Sequence, residues 1–271
     1  MNLIIKPFNG VYLACWGITV LMIIGIWFIF RNRSEKAKKI FITAFCGATV
    51  VIFFVYKGFL SVDKEFLEAS VPKLDKFNWF NELPLQLCNI NMFLIPIGVL
   101  TNKKFLKGFG FLIAPLGATM ALIFAENAFS GYPLFMPRIL GYYVTHFFIV
   151  IAGVSVVTLG FYKPRFKDIA GISAIFLILA FIIHCVNLVF RATGLCTYAD
   201  YFYTIDDLGI SILVLFHKFI KLPFFYLIPA LGILWAYMGI VCSGFDIAHK
   251  INKKKRKNVK TEQEKEPALT K

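Results

Sequence analysis

The sequence predicts an all-α polytopic membrane protein, a bundle of seven transmembrane helices. Of the 271 residues, 59% are hydrophobic and 31 are phenylalanine, which is more apolar surface than a water-soluble core of this size accommodates. The apolar residues fall in runs of about 20, the length that crosses roughly 30 Å of hydrocarbon. The basic residues concentrate in the segments that would lie on one side of the membrane. Together these observations predict the fold class.

The apolar runs define the seven predicted spans at residues 11–30, 40–60, 83–101, 109–128, 139–160, 169–190 and 222–243. The first run is longer than the apolar part of a signal peptide, and no small-residue cleavage site precedes the basic residues that follow it. We therefore expect it to remain as a helix. Residues 208–220 are apolar but too short to span, which predicts an interfacial or re-entrant segment.

The distribution of charge orients the predicted bundle. Seven spans place the termini on opposite sides, and one side then holds 20 of the 29 Lys and Arg with six of the 15 acids. Because cytoplasmic loops carry an excess of Lys and Arg, the N-terminus is predicted outside and the C-terminus in the cytoplasm of a cell-membrane protein. The net charge of +14 then reflects orientation, so we expect no nucleic-acid partner.

The chain is predicted to form two regions. Residues 1–249 form the seven-helix transmembrane domain, and residues 250–271 form a basic, mostly disordered cytoplasmic tail without aromatic residues. The six cysteines show no CxxC pair and no Cys and His set at metal-ligand spacing, so we expect no metal site and no disulfide. No cofactor is expected either, and the sequence leaves the oligomeric state open.

Polar side chains occur at similar depth in several predicted spans. At 1.5 Å per residue, Cys88 lies about 8 Å below the start of the third span and His146 about 10 Å below the start of the fifth. His184 and Asn187 lie in the last two turns of the sixth span. Polar groups in hydrocarbon usually face the bundle interior or a cavity. A shared pocket in the outer half of the membrane is therefore predicted.

Cys88 and His146 are the candidate catalytic residues, because an imidazole at the same depth can take the proton of a thiol. Alternatively, Cys88 is a small buried hydrophobic residue and His146 a hydrogen-bonding residue between helices. The other candidates are predicted either to bind substrate or to pack as polar residues between helices: Gln86, Asn89, Tyr142, His184 and Asn187. The loop between the fourth and fifth spans has a charged residue at each end, Glu126 and Arg138. Their positions predict a structural ion pair or a lipid headgroup contact.

Three segments carry a resemblance to a known family. They are LPLQLCNINMFLIPIGVL (83–100), YYVTHFFIV (142–150) and HCVNLVF (184–190). The sequence resembles the YwaF-like integral membrane proteins of bacteria, which are related to eukaryotic transmembrane acyltransferases that remodel ether phospholipids. It departs from that family at Gln86, where many members have His, and in the altered segment 190–201.

The resemblance implies transacylation between a phospholipid and a lysophospholipid through a thioester on Cys88, with His146 as the general base. These two lipids are then the expected partners. Two other functions remain open from the residues alone. One is a non-enzymatic membrane transporter or substrate-binding permease subunit, and the other is hydrolysis of lipid esters by the same pair. The oxyanion-stabilising group is left open among Gln86, Asn89 and Asn187.

Overall fold

The protein is an α-helical bundle. The structure is a computed structural model that describes residues 3–69, 76–125 and 127–265. The helices are α1 (Gly10–Phe30), α2 (Glu35–Leu60), α3 (Lys64–Ala69), α4 (Asn91–Leu100), α5 (Lys104–Ile123), α6 (Pro137–Thr158), α7 (Ile169–Ala192), α8 (Ser211–Phe219) and α9 (Ile228–Lys265). Two short strands, β1 (Ile4–Ile5) and β2 (Tyr132–Pro133), pair antiparallel. The all-α prediction is confirmed.

Helix α6 lies at the centre of the bundle. It packs against α1, α2, α4 and α5, and α5 in turn packs against α7. In the most apolar stretch of α6, 78% of the residues are buried, against 6% in α1. Helix α1 therefore lies at the periphery, and the side chains of α6 occupy the interior, where a functional site can be enclosed.

Six helices among the described residues are long and apolar enough to cross a membrane: α1, α2, α5, α6, α7 and α9. The chain is thus a multi-pass membrane protein, as predicted. The third predicted span, 83–101, is the exception, because only its second half is helical. Residues 83–90 form turns, and α4 begins at Asn91 and has ten residues. The prediction of a continuous helix over 83–101 is therefore wrong.

The irregular segment 83–90 is stabilised by side chains from elsewhere in the chain. Tyr201 accepts a hydrogen bond from Leu83 N and donates one to Phe80 O, while Gln86 Oε1 accepts one from Phe202 N. Pro84 has no N–H to contribute to a helix. Irregular backbone at membrane depth is tolerated where protein buries it. A count of apolar residues does not detect such distant partners, which is why the sequence predicted an unbroken helix.

Two other predicted spans are displaced. The fourth span, predicted at 109–128, corresponds to α5 at Lys104–Ile123. The helix starts earlier than predicted because its apolar residues already begin among the basic residues that precede the apolar run. The seventh, predicted at 222–243, begins with a 3-10 turn at Phe225–Leu227 and continues in α9 to Lys265. Residues 250–265 are thus helical where disorder was predicted, in keeping with the good helix propensity of Lys, Glu and Gln. The division into domains at residue 249 stays a prediction.

One end of the bundle contains the C-terminal ends of α2, α5 and α7 and the N-terminal end of α6. We call it the loop-rich end. Its connection after α7 is held by Asn187, which donates from Nδ2 to Tyr201 O and Thr204 Oγ1 and accepts from Tyr201 N. The Asp200 carboxylate accepts from the N–H groups of Ile205 and Asp206. Burial raises the pKa of Asp200. The apolar segment at 208–220 contains α8, a helix too short to span, as predicted.

Replacing Gly141 with alanine should destabilise the protein by about 2 kcal/mol, because overpacking a tight helix contact costs this much. A Cβ atom at Gly141 would lie 2.1 Å from Tyr56 Cβ, so α2 and α6 would have to separate. Thermal unfolding in detergent measures the effect. Gly47→Ala on α2 is the control, since nothing lies within 4 Å of its added Cβ. Equal melting temperatures for the two variants would contradict this close packing.

Candidate active site

Cys88 lies at the N-terminal end of the short helix α4. The chain turns into the helix through hydrogen bonds from Ile90 N to Gln86 O and from Asn91 N to Cys88 O. Helix α5 passes this point at Gly117, where an added Cβ would lie 3.6 Å from Cys88 N. Gly117 is six residues from the end of α5, which corresponds to a depth of about 9 Å. The break in the predicted span thus places a thiol at a helix N-terminus below the loop-rich end.

The structure brings Cys88 and His146 together. Cys88 Sγ lies 3.4 Å from His146 Nε2, within hydrogen-bonding distance for sulfur. Cys88 is 8% exposed and His146 is 3% exposed, so both residues are shielded by protein. Two residues 58 positions apart in the sequence therefore form a buried thiol–imidazole pair.

The other nitrogen of His146 fixes the tautomer of the ring. His146 Nδ1 lies 2.8 Å from the backbone oxygen of Tyr142, one turn earlier in α6. Because a carbonyl oxygen can only accept, Nδ1 carries the proton and the lone pair of the neutral ring is on Nε2. That lone pair faces the Cys88 thiol, which is the arrangement a general base requires.

Aromatic packing holds the imidazole in place. The Tyr142 ring lies 4.4 Å from the His146 ring, centroid to centroid, and stacks at 4.3 Å on Phe129. The Tyr142 hydroxyl donates to Ala121 O at 2.6 Å. Tyr142 therefore links α6 to α5 while its backbone and ring both orient His146.

The helix N-terminus supplies donors around the sulfur. The backbone N–H groups of Cys88 and Asn89 donate no backbone hydrogen bond among the described residues, so both are available to a group bound beside the sulfur. The thiol also lies 3.6 Å from Asn89 Oδ1, so the side chain of Asn89 offers it a second acceptor besides His146. Backbone N–H groups at a helix N-terminus stabilise nearby negative charge. A thiolate or an oxyanion formed here would face these groups.

Two other candidate residues contact the loop that follows α7, and a third contacts the connection between α8 and α9. Gln86 accepts from Phe202 N, and the amide of Asn187 binds the backbone of Tyr201. The His184 ring packs 5.2 Å from Phe224, and its buried Nδ1 has no hydrogen-bond partner among the described residues. The structure thus gives Gln86 and Asn187 hydrogen bonds that hold this loop over the segment 83–90. Substrate binding by these residues stays a prediction.

A buried ion pair beside the site did not emerge from sequence reasoning. Lys57, near the end of α2, pairs with Glu82, and their side chains are 9% and 10% exposed. The ammonium group lies 4.8 Å from the Tyr56 ring centroid and 5.4 Å from that of Phe53. The sequence signal for this ion pair is a lysine within an otherwise apolar run, three residues from the helix end.

Arg138 forms the second buried charge cluster at this end. Its guanidinium binds both carboxylate oxygens of Asp63 at 3.0 and 2.8 Å and lies 3.2 Å from Glu65 Oε2. It also donates to Ala128 O. Arg138 therefore forms ion pairs with residues on and beside α3, which the sequence did not predict. Glu126, the partner considered from sequence, lies outside the described residues.

Among the residues that the structure describes, no group of three or more His, Cys, Asp or Glu side chains is arranged to hold a metal ion. All six cysteines have free thiols. Among the described residues, Cys88 is the cysteine whose sulfur lies within hydrogen-bonding distance of a histidine.

The fold and the site define a polytopic helical membrane protein with a buried Cys–His pair at a broken helix. The sequence matches the model of the TMEM164 family over residues 6–242. Because this match covers most of the chain, the protein belongs to the TMEM164 family, a family of transmembrane proteins. No curated protein and no solved structure matches the sequence. The resemblance to the YwaF-like proteins stays a prediction.

Proposed function

We propose that the protein is a membrane-embedded phospholipid acyltransferase that moves a fatty acyl chain from a phospholipid to a lysophospholipid. The main support is the 3.4 Å contact between Cys88 Sγ and His146 Nε2, with the proton of the imidazole held on Nδ1 by Tyr142 O. A thiol beside a correctly oriented base is the arrangement used for covalent acyl transfer. The resemblance of the segments around these two residues implies the same chemistry.

In the first half-reaction, His146 Nε2 takes the Cys88 proton and the thiolate attacks an ester carbonyl of the phospholipid. A C–S bond forms, and the tetrahedral oxyanion is stabilised by the backbone N–H groups of Cys88 and Asn89, which donate no backbone hydrogen bond among the described residues. The ester C–O bond then breaks, and the imidazolium protonates the departing glycerol oxygen. The products are a lysophospholipid and an acyl thioester on Cys88.

In the second half-reaction, the hydroxyl of another lysophospholipid gives its proton to His146 Nε2 and attacks the thioester carbonyl. The C–S bond breaks, and the Cys88 thiolate recovers the proton from the imidazolium. Transfer competes with hydrolysis, so water must be excluded while the thioester exists. The burial of Cys88 and His146 supports transfer as the main outcome.

We also propose that the segment 83–100 completes seven crossings, with the N-terminus outside and the basic C-terminal region in the cytoplasm of a cell-membrane protein. Glycine contacts support a crossing antiparallel to α5, because Cys88 adjoins Gly117 while Gly98 adjoins Leu106. The loop-rich end is then the outer end. The thiol lies about 9 Å below it, near the ester groups of the outer leaflet. The expected lipid partners and substrate-binding residues are also part of this proposal.

The test uses the purified protein in liposomes with a phospholipid carrying a labelled acyl chain and an unlabelled lysophospholipid. We expect the label on the lysophospholipid, and acid-quenched protein should carry it on Cys88 in a form released by hydroxylamine. Label found only as free fatty acid would contradict transfer and indicate hydrolysis. Protein that never carries the label and moves no acyl chain would contradict an enzymatic function.

A further inference from the structure

Lys57 and Glu82 form a buried charge pair that the proposed acyl transfer does not use. Removing two charges from water is costly unless their attraction and hydrogen bonds compensate for it. Lys57 has three N–H donors; among the described residues one binds Glu82, and the ammonium group lies over the Tyr56 ring. Glu82 also accepts a hydrogen bond from Asn81 Nδ2 at 3.0 Å. The ammonium group therefore keeps a donor for a further acceptor.

The pair lies beside the Cys–His site, towards the loop-rich end. Tyr56, the neighbour of Lys57, packs against Gly141, which is five residues before His146 in α6. This spacing, with the further residue from Tyr56 to Lys57, puts the α2 backbone at Lys57 about 9 Å nearer the loop-rich end than His146. Helix α2 packs against both α4, which follows Cys88, and α6, which carries His146. A ligand with its reacting carbonyl at Cys88 would thus extend past Lys57 on its way out of the membrane.

We propose that Lys57 binds the phosphate of the donor phospholipid and so makes the site specific for phosphate-bearing esters. This inference rests on the acyl transfer proposed above. In a glycerophospholipid the phosphate and the acyl esters are attached to the same short glycerol backbone. The phosphate lies nearer the water than the esters do. The order of Lys57 and Cys88 along the bundle matches that order of phosphate and ester.

Glu82 has a distinct part in this arrangement. Without it, an empty site would leave the buried ammonium unpaired, which is strongly unfavourable. With it, an incoming phosphate exchanges for part of an existing ion pair, and the N–H donors of Lys57 form charge-assisted hydrogen bonds to phosphate oxygens. Glu82 is therefore a positioning residue that keeps Lys57 charged and aimed between donor binding events.

The experiment measures single-turnover acylation of Cys88 by two esters, phosphatidylcholine and an uncharged long-chain p-nitrophenyl ester. The variant is Lys57→Met combined with Glu82→Gln, because replacing both members of a buried pair leaves no lone charge. We expect acylation by phosphatidylcholine to fall about 10- to 100-fold, the range for losing a hydrogen bond to a charged group. Acylation by the uncharged ester should change much less. Lys64→Met, an exposed lysine of α3, is the matched control.

Equal losses of acylation rate with both esters would overturn the proposal, because they indicate a purely structural ion pair. The absence of any loss would also overturn it. A second measurement on the unaltered protein does not depend on how the variant folds. Phosphatidylcholine should acylate Cys88 at least about 10-fold faster than diacylglycerol with the same chains, and equal rates would overturn the phosphate role. If neither phosphatidylcholine nor the p-nitrophenyl ester acylates the unaltered protein, that result would instead contradict the proposed acyl transfer itself.

Discussion

Replacing Cys88 with serine should reduce acyl transfer by at least about 10³-fold, because the thiolate is the proposed nucleophile and a serine hydroxyl is far harder to ionise. The change removes little volume from a buried site, so the melting temperature should stay close to that of the unaltered protein. Rates come from the liposome assay with labelled phospholipid. Cys185→Ser is the matched control, since Cys185 is exposed on α7 and should not affect the rate. A Cys88→Ser variant of normal activity would contradict the thioester route.

His146→Ala distinguishes a base from a residue that only fills space. A general base contributes about 10²- to 10⁴-fold, so a loss in this range is expected at neutral pH. At higher pH the thiol ionises without help, so the single-turnover acylation of Cys88 in this variant should rise with pH, while transfer to the lysophospholipid, which still lacks a base for the acceptor hydroxyl, should stay slow. A purely structural role for His146 predicts a loss that does not depend on pH.

Simple geometry predicts that Cys88 and His146 lie at similar depth, and the family resemblance implies that they act as a pair. Both residues lie at similar depth on spans that enter from the same side, and the depth follows from the rise per residue of a helix. The 3.4 Å contact in the structure agrees with that placement. Depth alone leaves the rotation of each helix open, however. The facing of the two side chains depends on packing between α4, α5 and α6, which no single span encodes.

The broken helix is the main feature that the sequence did not reveal. Hydropathy records that residues 83–101 are apolar enough to span, but the state of 83–90 is decided by partners more than 100 residues away. Phe202 N binds Gln86, and Tyr201 binds Leu83. These contacts exist only after α7 and its loop have packed. They are also what places Cys88 at a helix N-terminus rather than in a helix interior.

The predicted shared pocket shows the same limit. Depth correctly places Gln86, His184 and Asn187 near the loop-rich end. The structure, however, directs the amide groups of Gln86 and Asn187 to the loop after α7. The buried cations follow a related pattern. Arg138 was recognised as an ion-pairing residue, but its partners on and beside α3 are distant in sequence.

Replacing Arg138 with methionine should destabilise the protein by about 3–5 kcal/mol, the usual cost of removing one member of a buried charge pair. The Arg138 side chain is fully buried, binds Asp63 with two hydrogen bonds and lies 4.3 Å from the Tyr132 ring centroid. Methionine fills part of the volume but leaves Ala128 O without its donor and the Asp63 carboxylate without a cation, with the Phe66 N–H as its remaining donor. Thermal unfolding in detergent measures the loss. Arg33→Met, at an exposed position, is the control and should unfold at the original temperature.

Two further variants separate charge from shape at this position. Arg138→Lys keeps the charge but cannot bind Asp63 and Ala128 O at once as Nη1 and Nε do, so its melting temperature should fall between those of the unaltered protein and Arg138→Met. Adding Asp63→Asn to Arg138→Met removes the unpaired carboxylate and should recover part of the lost stability. Because Arg138 lies eight residues from His146, about 12 Å along α6, the protein that remains folded should keep its acylation rate. A melting temperature of Arg138→Met equal to that of Arg33→Met would show that the cluster adds no stability.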